Sequence, residues 1–401
     1  MTQVSIPTGN HDAYHPHAHT PDLPTFVSHR IARFVDDRFN QLWGGRHLLH
    51  GSPPPPDALM LSSNDYLRLT QNPAWLATQT AGHEANQQLL MSPVFHDEHS
   101  PTRQLETRLA HYAQTPDGIL CQSGWAANTG MLQAIANENT PVYLDQLAHM
   151  SLWYGARAAG APVVVFRHND AEHLSGQLAR HGPGIITVDA IYSTNGSLCQ
   201  LPHIADACAQ SGCVLVVDES HSLGVFGHKG AGLVSELGLH GQVHFITASL
   251  AKAFAWRAGF IGCPKGFKDY FMMASYPTCF SSVLLDLDLA CIGQALSLIE
   301  CADDQRRRLG QATLAVRQAL KDAKVPVSPG SQQIVALEGG SEARTMALRD
   351  ALEQRGVFGS VFCAPATAVR HALVRLSLHS ELDEQQVQRL IEGCISASRN
   401  L

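Results

Sequence analysis

"CVLVVDESHSLGVFGHKGAG", residues 213–232, is an apolar run that ends on an acid, Asp218, and passes into a turn carrying His221 three residues later. A continuous β-branched run, as opposed to an alternating one, is what a strand covered on both faces requires. Runs of the same kind start at 118 (GILC), 163 (VVVF), 184 (GIITVD), 243 (VHFITA) and 258 (AGFIG), with helical patterns between them. Short β runs alternating with helices predict a mostly parallel sheet with crossover helices, an α/β fold. In open sheets of this class ligands gather beyond the carboxyl ends of the strands, so the residues after each run are the functional candidates.

Outward from that sheet the chain changes character. The segment GNHDAYHPHAHTPDLP (9–24) sets His11, His15, His17 and His19 among turn formers, which predicts a solvated tail and no fixed metal site. An apolar repeat predicts a helix from Phe26 to about Phe39, and GSPPPPDA (51–58) enforces an extended linker. A large domain is expected over 59–290. A smaller C-terminal α+β domain is expected over 291–401, fed by a long helical stretch from about 286, with strands at QIVALE (333) and LVRLSL (373) and helices near 342–354 and 383–397.

Bulk composition excludes several classes. The 401 residues are 45% apolar, enough for a large core, and the net charge of −7 with no basic block gives nucleic acid no electrostatic footprint. Ten scattered cysteines without a CxxC pair read as reduced packing residues, neither a disulfide framework nor a metal site, so a cytoplasmic address is expected. No apolar stretch reaches the roughly 18 residues that span a membrane.

After GILC comes QSGWAANTG, a glycine turn into a helix whose free N–H groups at Gly124 and Trp125 would cradle a phosphate. CVLVVD closes on Asp218 and is followed by His221, which could equally be a helix cap and a solvent histidine. After VHFITA comes SLAKAF, with Ser249 and Lys252. The chain holds six lysines against 22 arginines and none in its first 228 residues, yet Lys252 lies within an almost unbroken apolar run. Burial lowers an ammonium's pKa or means that its nitrogen is committed elsewhere, although a lysine at a helix end can also snorkel. GHKGAG is not GxGxxG, and no GxxxxGK[ST] occurs. A phosphate cradle, a strand-end carboxylate and a lone apolar lysine together match pyridoxal 5'-phosphate: the amine bonds its aldehyde carbon and the acid keeps its pyridine nitrogen protonated.

The succession DQLAHMSLW, VDAIYSTNG, VVDESHSLGVFGHKGAG and TASLAKAF resembles the α-oxoamine synthases, fold-type I pyridoxal-phosphate enzymes that join an amino acid to an acyl-CoA. The resemblance spans roughly residues 26–398 and implies an aspartate aminotransferase-like architecture. It implies that Asp218 partners the pyridine nitrogen, His221 the ring oxygen and His149 the ring face, while Ser193 and Ser249 hold the cofactor and Lys252 carries it. Asn64 in SSNDYLRL and Arg375 in LVRLSL fall on substrate-binding positions, Arg375 on the amino acid's carboxylate, for which a bidentate guanidinium is suited. The family works as homodimers with shared sites, and CFSSVLL matches the segment that crosses over, so Ser281 or Ser282 is expected to reach the partner's phosphate.

Where relatives carry a glycine run and an H-x-x-L-E histidine, this chain has LLMSPVFHDEHSPTRQLE (89–106) with Thr102. The usual S-K-A-x-G-x-x-G-G becomes AKAFAWRAG, and Arg257 is assigned a glycine's place and a substrate contact. These departures, with SGWAANTG, AHMSLWYGAR, RHGPGII and GVFGSVFCAPAT, resemble the CqsA-type autoinducer synthases, which make α-hydroxyketone signal precursors. The resemblance implies condensation of S-adenosylmethionine or 2-aminobutyrate with a medium- or long-chain acyl-CoA, followed by decarboxylation. An 8-amino-7-oxononanoate or aminoketobutyrate synthase, and a non-catalytic binding scaffold, are the alternatives.

Overall fold

The computed structural model describes residues 22–84, 89–327 and 333–399, so the four tail histidines lie outside the described residues. The chain divides into two units, Met1–His50 and Gly51–Leu401. In the first, an α-helix Thr25–Phe34 runs on as a π-helix Val35–Leu42, close to the expected helix. Trp43 ends it, with its ring edge-on to Phe34 at 6.3 Å and to Phe39 at 6.5 Å.

The second unit contains strands β1 (Leu59–Met60), β2 (Asp117–Cys121), β3 (Val142–Asp145), β4 (Val163–Phe166), β5 (Ile185–Asp189) and β6 (Val214–Asp218). It continues with β7 (Phe245–Ser249), β8 (Gly259–Cys263), β9 (Ile334–Gly340), β10 (Val357–Phe358), β11 (Ser360–Phe362) and β12 (Ala372–Ser377). Seven of these form one sheet in the order β2-β8-β7-β6-β5-β3-β4, in which only β8 runs against its neighbours. All six runs read as large-domain strands are in it. In β6 the continuous apolarity follows from burial on both faces: Leu215 and Val217 pack with Leu201 and Ile204 on one side, and Val216 packs with Met131 and Leu132 on the other, whereas the edge strand β4 is only partly covered, with Val165 exposed.

The sheet's seventh member, β3 (VYLD), escaped the sequence reading; only one of its four residues, Val142, is β-branched, against three in the equally short VVVF of β4. β8 is a further difference: the chain returns from β7 by a tight turn, with Leu250 N–H bonded to the Ala258 carbonyl at 2.9 Å, and no helix intervenes. Lys252 therefore sits in a strand-to-strand turn, not at the start of a helix.

Beyond the helices Asp286–Glu300 and Asp303–Asp322, a three-stranded antiparallel sheet runs β11-β12-β9. Helices Glu342–Glu353 and Glu384–Arg399 cover it, with Leu348, Leu352, Leu390 and Cys394 packed in one cluster with Val335, Leu337, Val374 and Leu376. Two registers position the site. Asp189 of β5 pairs with Asp218 of β6, and Asp218 with Thr247 of β7, so β5 and β6 end level and β7 runs two residues further at the same end of the sheet. Ser377 at the end of β12 donates its N–H to the Leu61 carbonyl at 2.8 Å, tying the small sheet to the segment that carries Asn64. Among the described residues no helix is long and apolar enough to cross a membrane.

Candidate active site

At the carboxyl edge of the large sheet lies a cavity of about 360 Å³, lined by residues from both sheets and from the segment before them. Its floor begins with helix Gly124–Ile135. Ser123 caps this helix by accepting the Ala126 N–H at 3.0 Å, and the first N–H groups have no acceptor within the helix. A β-carbon on Gly124 would lie 2.5 Å from Ser249 Cβ, and one on Gly259 would lie 2.2 Å from the Ser123 carbonyl oxygen. Only glycine permits this approach, which brings the open helix terminus against the Ser249 hydroxyl that ends β7. An anion is what such a corner accommodates.

Asp218, buried at the tip of β6, has both oxygens occupied. Ser220 N–H reaches Oδ1 at 2.8 Å and Asn128 Nδ2 reaches Oδ2 at 2.6 Å. Asn128 comes from the second turn of helix Gly124–Ile135 and donates also to Ser151 Oγ at 2.8 Å. Ser151 in turn meets His149 Nδ1 at 2.7 Å, and Asp189 Oδ1 accepts the His149 backbone N–H at 3.0 Å. Burial, reinforced by the neighbouring Asp218, holds the Asp189 carboxyl well above the usual carboxylate range. Burial also lowers the His149 imidazole, an effect that Asp218 opposes and Lys252 adds to.

On the other side, His221 Nδ1 lies 2.6 Å from the Tyr66 hydroxyl, which stands 3.1 Å from Asn64 Oδ1. Asn64 Oδ1 also accepts from Arg375 Nη2. Arg375 Nη1 donates to the Ser193 carbonyl at 2.6 Å, Nε and Nη2 donate to Ser377 Oγ at 3.3 and 3.0 Å, and the guanidinium carbon sits 5.3 Å above the Phe362 ring. Burial drives His221 well below the ordinary imidazole value, with Lys252 and Arg375 adding to it. Burial pushes the Tyr66 phenol up to about 12.

Lys252 lines the same cavity, and its amine has no hydrogen-bond or ion-pair partner among the described residues. Burial, then Arg375, lowers its pKa, while Asp218 pulls the other way. The amine is thereby made a better nucleophile at neutral pH.

Asn64, Gly124, Trp125, His149, Ser193, Asp218, His221, Ser249, Lys252 and Arg375 are thus placed on one cavity. Arg257 is not: its side chain is exposed and outside the lining. Nor does it hold a glycine's conformation; the left-handed residue of that turn is Ala255, at φ 54°. Ser281 and Ser282 also lie away from the cavity, Ser282 accepting from Gln122 Nε2 at 2.9 Å through its carbonyl. Thr102 is buried near the start of helix Pro101–Tyr112, with its hydroxyl 3.2 Å from His96 Nε2. Sequence reasoning missed Asn128, Ser151, Tyr66 and Phe362. A lone amide inside the apolar helix AANTGML was the available signal for Asn128; Phe362 carried none.

A cavity that combines an anion corner closed by glycine, a strand-end carboxylate and a desolvated amine fits pyridoxal phosphate: Gly124, Trp125 and Ser249 would hold its phosphate, Asp218 its pyridine nitrogen and Lys252 its aldehyde carbon. Residues 56–393 match the family model for aminotransferase class I and II. The chain is 41% identical over 379 residues to a CAI-1 autoinducer synthase of Vibrio campbellii, covering 94% of this chain and 96% of that one. It is 29% identical over 355 residues to an 8-amino-7-oxononanoate synthase of Pelobacter propionicus, covering 86% and 91%. Its fold is that of the serine palmitoyltransferase of Sphingomonas wittichii, with a TM-score of 0.84 at 23% identity, covering 95% of this chain and 99% of that one. The chain belongs to the aminotransferase class I and II family and is an α-oxoamine synthase, a pyridoxal-phosphate enzyme.

Proposed function

We propose that the enzyme condenses an amino acid, S-adenosylmethionine or 2-aminobutyrate, with a medium- or long-chain acyl-CoA and releases carbon dioxide, giving an α-aminoketone precursor of a signalling molecule. One observation carries the chemistry: the Lys252 amine, the Asp218 carboxylate and the Arg375 guanidinium face one cavity. The 41% identical autoinducer synthase supports the branch.

Bound, the cofactor supplies an electron sink for negative charge at the amino acid's α-carbon. Asp218, held by Asn128 and Ser220, keeps a negative charge beside the pyridine nitrogen. Arg375 orients the substrate's carboxylate, and the freed Lys252 amine is the base that takes the α-proton. His149, on the same cavity, would lie against the ring face. A second cavity of about 590 Å³ shares His149, Ser193 and Phe362 with the first and continues along Met150, Trp153 and Pro365, giving the thioester a route to the reacting carbon.

Two copies are proposed to share the site, through the segment that carries Ser281 and Ser282. Phe280, 79% exposed, Tyr276 and Met273 form an apolar surface beside it that a second copy would cover. We place the enzyme in the cytoplasm, and divide its body into a large cofactor-binding part, 59–290, and a smaller part, 291–401.

Product mass after incubation with a panel of acyl-CoAs and amino acids tests the reading. Each methylene buried in the acyl pocket favours the longer chain by about 0.8 kcal/mol, so kcat/KM is expected to climb from acetyl- to octanoyl- or decanoyl-CoA. A preference for pimeloyl-CoA would favour the second reading, an 8-amino-7-oxononanoate synthase, which the 29% identical relative keeps in view.

A further inference from the structure

Two histidines face the cavity, and each ends a chain of hydrogen bonds that starts on a charged group and passes through an asparagine and a hydroxyl. The first runs from Asp218 through Asn128 and Ser151 to His149, the second from Arg375 through Asn64 and Tyr66 to His221. The two chains start from opposite polarity. Asp218 Oδ2 accepts, and Arg375 has only donors.

That difference propagates. Because Asp218 needs a donor, Asn128 must turn its amide nitrogen toward it, and the same nitrogen donates to Ser151 Oγ at 2.8 Å. The Ser151 proton is then free for His149 Nδ1, 2.7 Å away, and the Ser151 backbone N–H points to the same nitrogen at 3.3 Å. A nitrogen that accepts twice carries no proton, so in neutral His149 the proton is on Nε2. On the other side Arg375 needs an acceptor, so Asn64 must present Oδ1. The Tyr66 hydroxyl, 3.1 Å from that oxygen, donates to it; the reverse assignment would leave two acceptors facing each other without a proton. Tyr66 oxygen is then left to accept from His221 Nδ1 at 2.6 Å, and in neutral His221 the bare nitrogen is Nε2. Burial, then the neighbouring Lys252 and Arg375, disfavours a second proton on this imidazole.

We infer that the two relays lock the histidines in opposite tautomers, so that His149 offers the cavity a proton donor at Nε2 and His221 offers it a bare acceptor. Tyr66 and Ser151 are positioning residues, each setting the proton on a ring that it touches. Their use rests on the function proposed above: with the cofactor in place, His221 would accept from the ring hydroxyl instead of donating to it. The tautomers themselves belong to the chain alone and are measured without cofactor or substrate, so their failure leaves the proposed reaction untouched.

The test is proton–nitrogen correlation NMR on the full-length protein, labelled with ¹⁵N-histidine and stripped of cofactor. His149→Gln and His221→Gln identify the two rings by the signals that disappear. Expected are a protonated Nε2 with bare Nδ1 for His149 and the reverse for His221. In Asn64→Leu, Tyr66 regains its proton for His221 Nδ1, and the His221 tautomer ratio should move by about tenfold or more toward Nε2–H, while His149 stays as it was. The inference is overturned if both rings carry the same tautomer, if either is an imidazolium at neutral pH, or if a folded Asn64→Leu protein leaves His221 unmoved; should that variant not fold, the wild-type spectrum decides alone.

Discussion

Asn128 Nδ2 donates to Asp218 Oδ2 at 2.6 Å, so the acid at the end of β6 is aimed by a residue 90 positions earlier, on the helix that also forms the anion corner. In the proposed site one helix would thus set both the cofactor's phosphate and its pyridine nitrogen. Asn128→Ala removes a hydrogen bond to a charged group, an effect of about 1.5–3 kcal/mol, so kcat/KM is expected to fall roughly tenfold to a hundredfold. Steady-state kinetics alongside a cofactor titration check it. Unchanged kcat/KM would mean that Asp218 holds its position without help.

Gly124→Ala pushes a methyl group into the backbone and side chain of Ser249, 2.5–2.8 Å away. Neither side can give without moving β7 or the helix, which predicts a loss of about 1–3 kcal/mol and an opened anion corner. Thermal melts with and without pyridoxal phosphate should show a lower Tm in both, and a smaller stabilisation by the cofactor in the variant.

Lys252→Ala is expected to fold normally, since its amine holds nothing else in place, and to lose the borohydride-stable cofactor label. Peptide mapping of the reduced wild-type protein should find that label on Lys252; finding it on Lys229 or Lys265 would refute the assignment. In cofactor-free protein, amine-specific acylation of Lys252 should reach its half-rate below the ordinary lysine pKa of about 10.4, because burial lowers the group.

His221 gives stability a pH dependence with a definite sign. Its folded pKa lies well below the ordinary value, so on acidification the unfolded chain binds a proton near pH 6.5 that the folded chain refuses. The unfolded state then holds more protons, and stability drops as pH falls below about 6.5. The slope from this one group is at most about 1.4 kcal/mol per pH unit, approached below the unfolded pKa. Denaturant unfolding of cofactor-free wild type and His221→Gln should show that contribution disappearing in the variant.

Arg375→Lys keeps the charge but loses the planar fork that reaches Asn64, Ser193 and Ser377 together. KM for the amino acid should rise about tenfold or more, with a smaller change in kcat. A change confined to KM for the acyl-CoA would place the guanidinium on the wrong substrate.

Local signals made much of this legible. Strands buried on both faces must be continuously apolar, so the central strands stand out as runs, as does the β-branched edge strand β4, and the residues at the ends of β6 and β7, Asp218 and Ser249, stand out as polar terminators. Lys252 is visible because an ammonium has no cheap place in an apolar run. β3 failed the same test because VYLD holds a single β-branched residue, where the equally short VVVF of β4 holds three. The glycine-type conformation at Ala255 could not be read because an alanine gives no sign of positive φ.

By itself the sequence determined which elements form and which chemical groups end them, since periodicity and burial are written into consecutive residues. Only the tertiary structure decided which distant groups meet: Asn128 on Asp218, Tyr66 on His221, and Asn64 and the Ser193 carbonyl on Arg375, across separations of 90 to 311 residues. The reason is that a hydrogen bond is specified by distance and direction to within a few tenths of an ångström. Those are set by sheet register, by the close packing at Gly124 and by the folding of the small sheet against the large one, none of which leaves a trace in the spacing of residues along the chain.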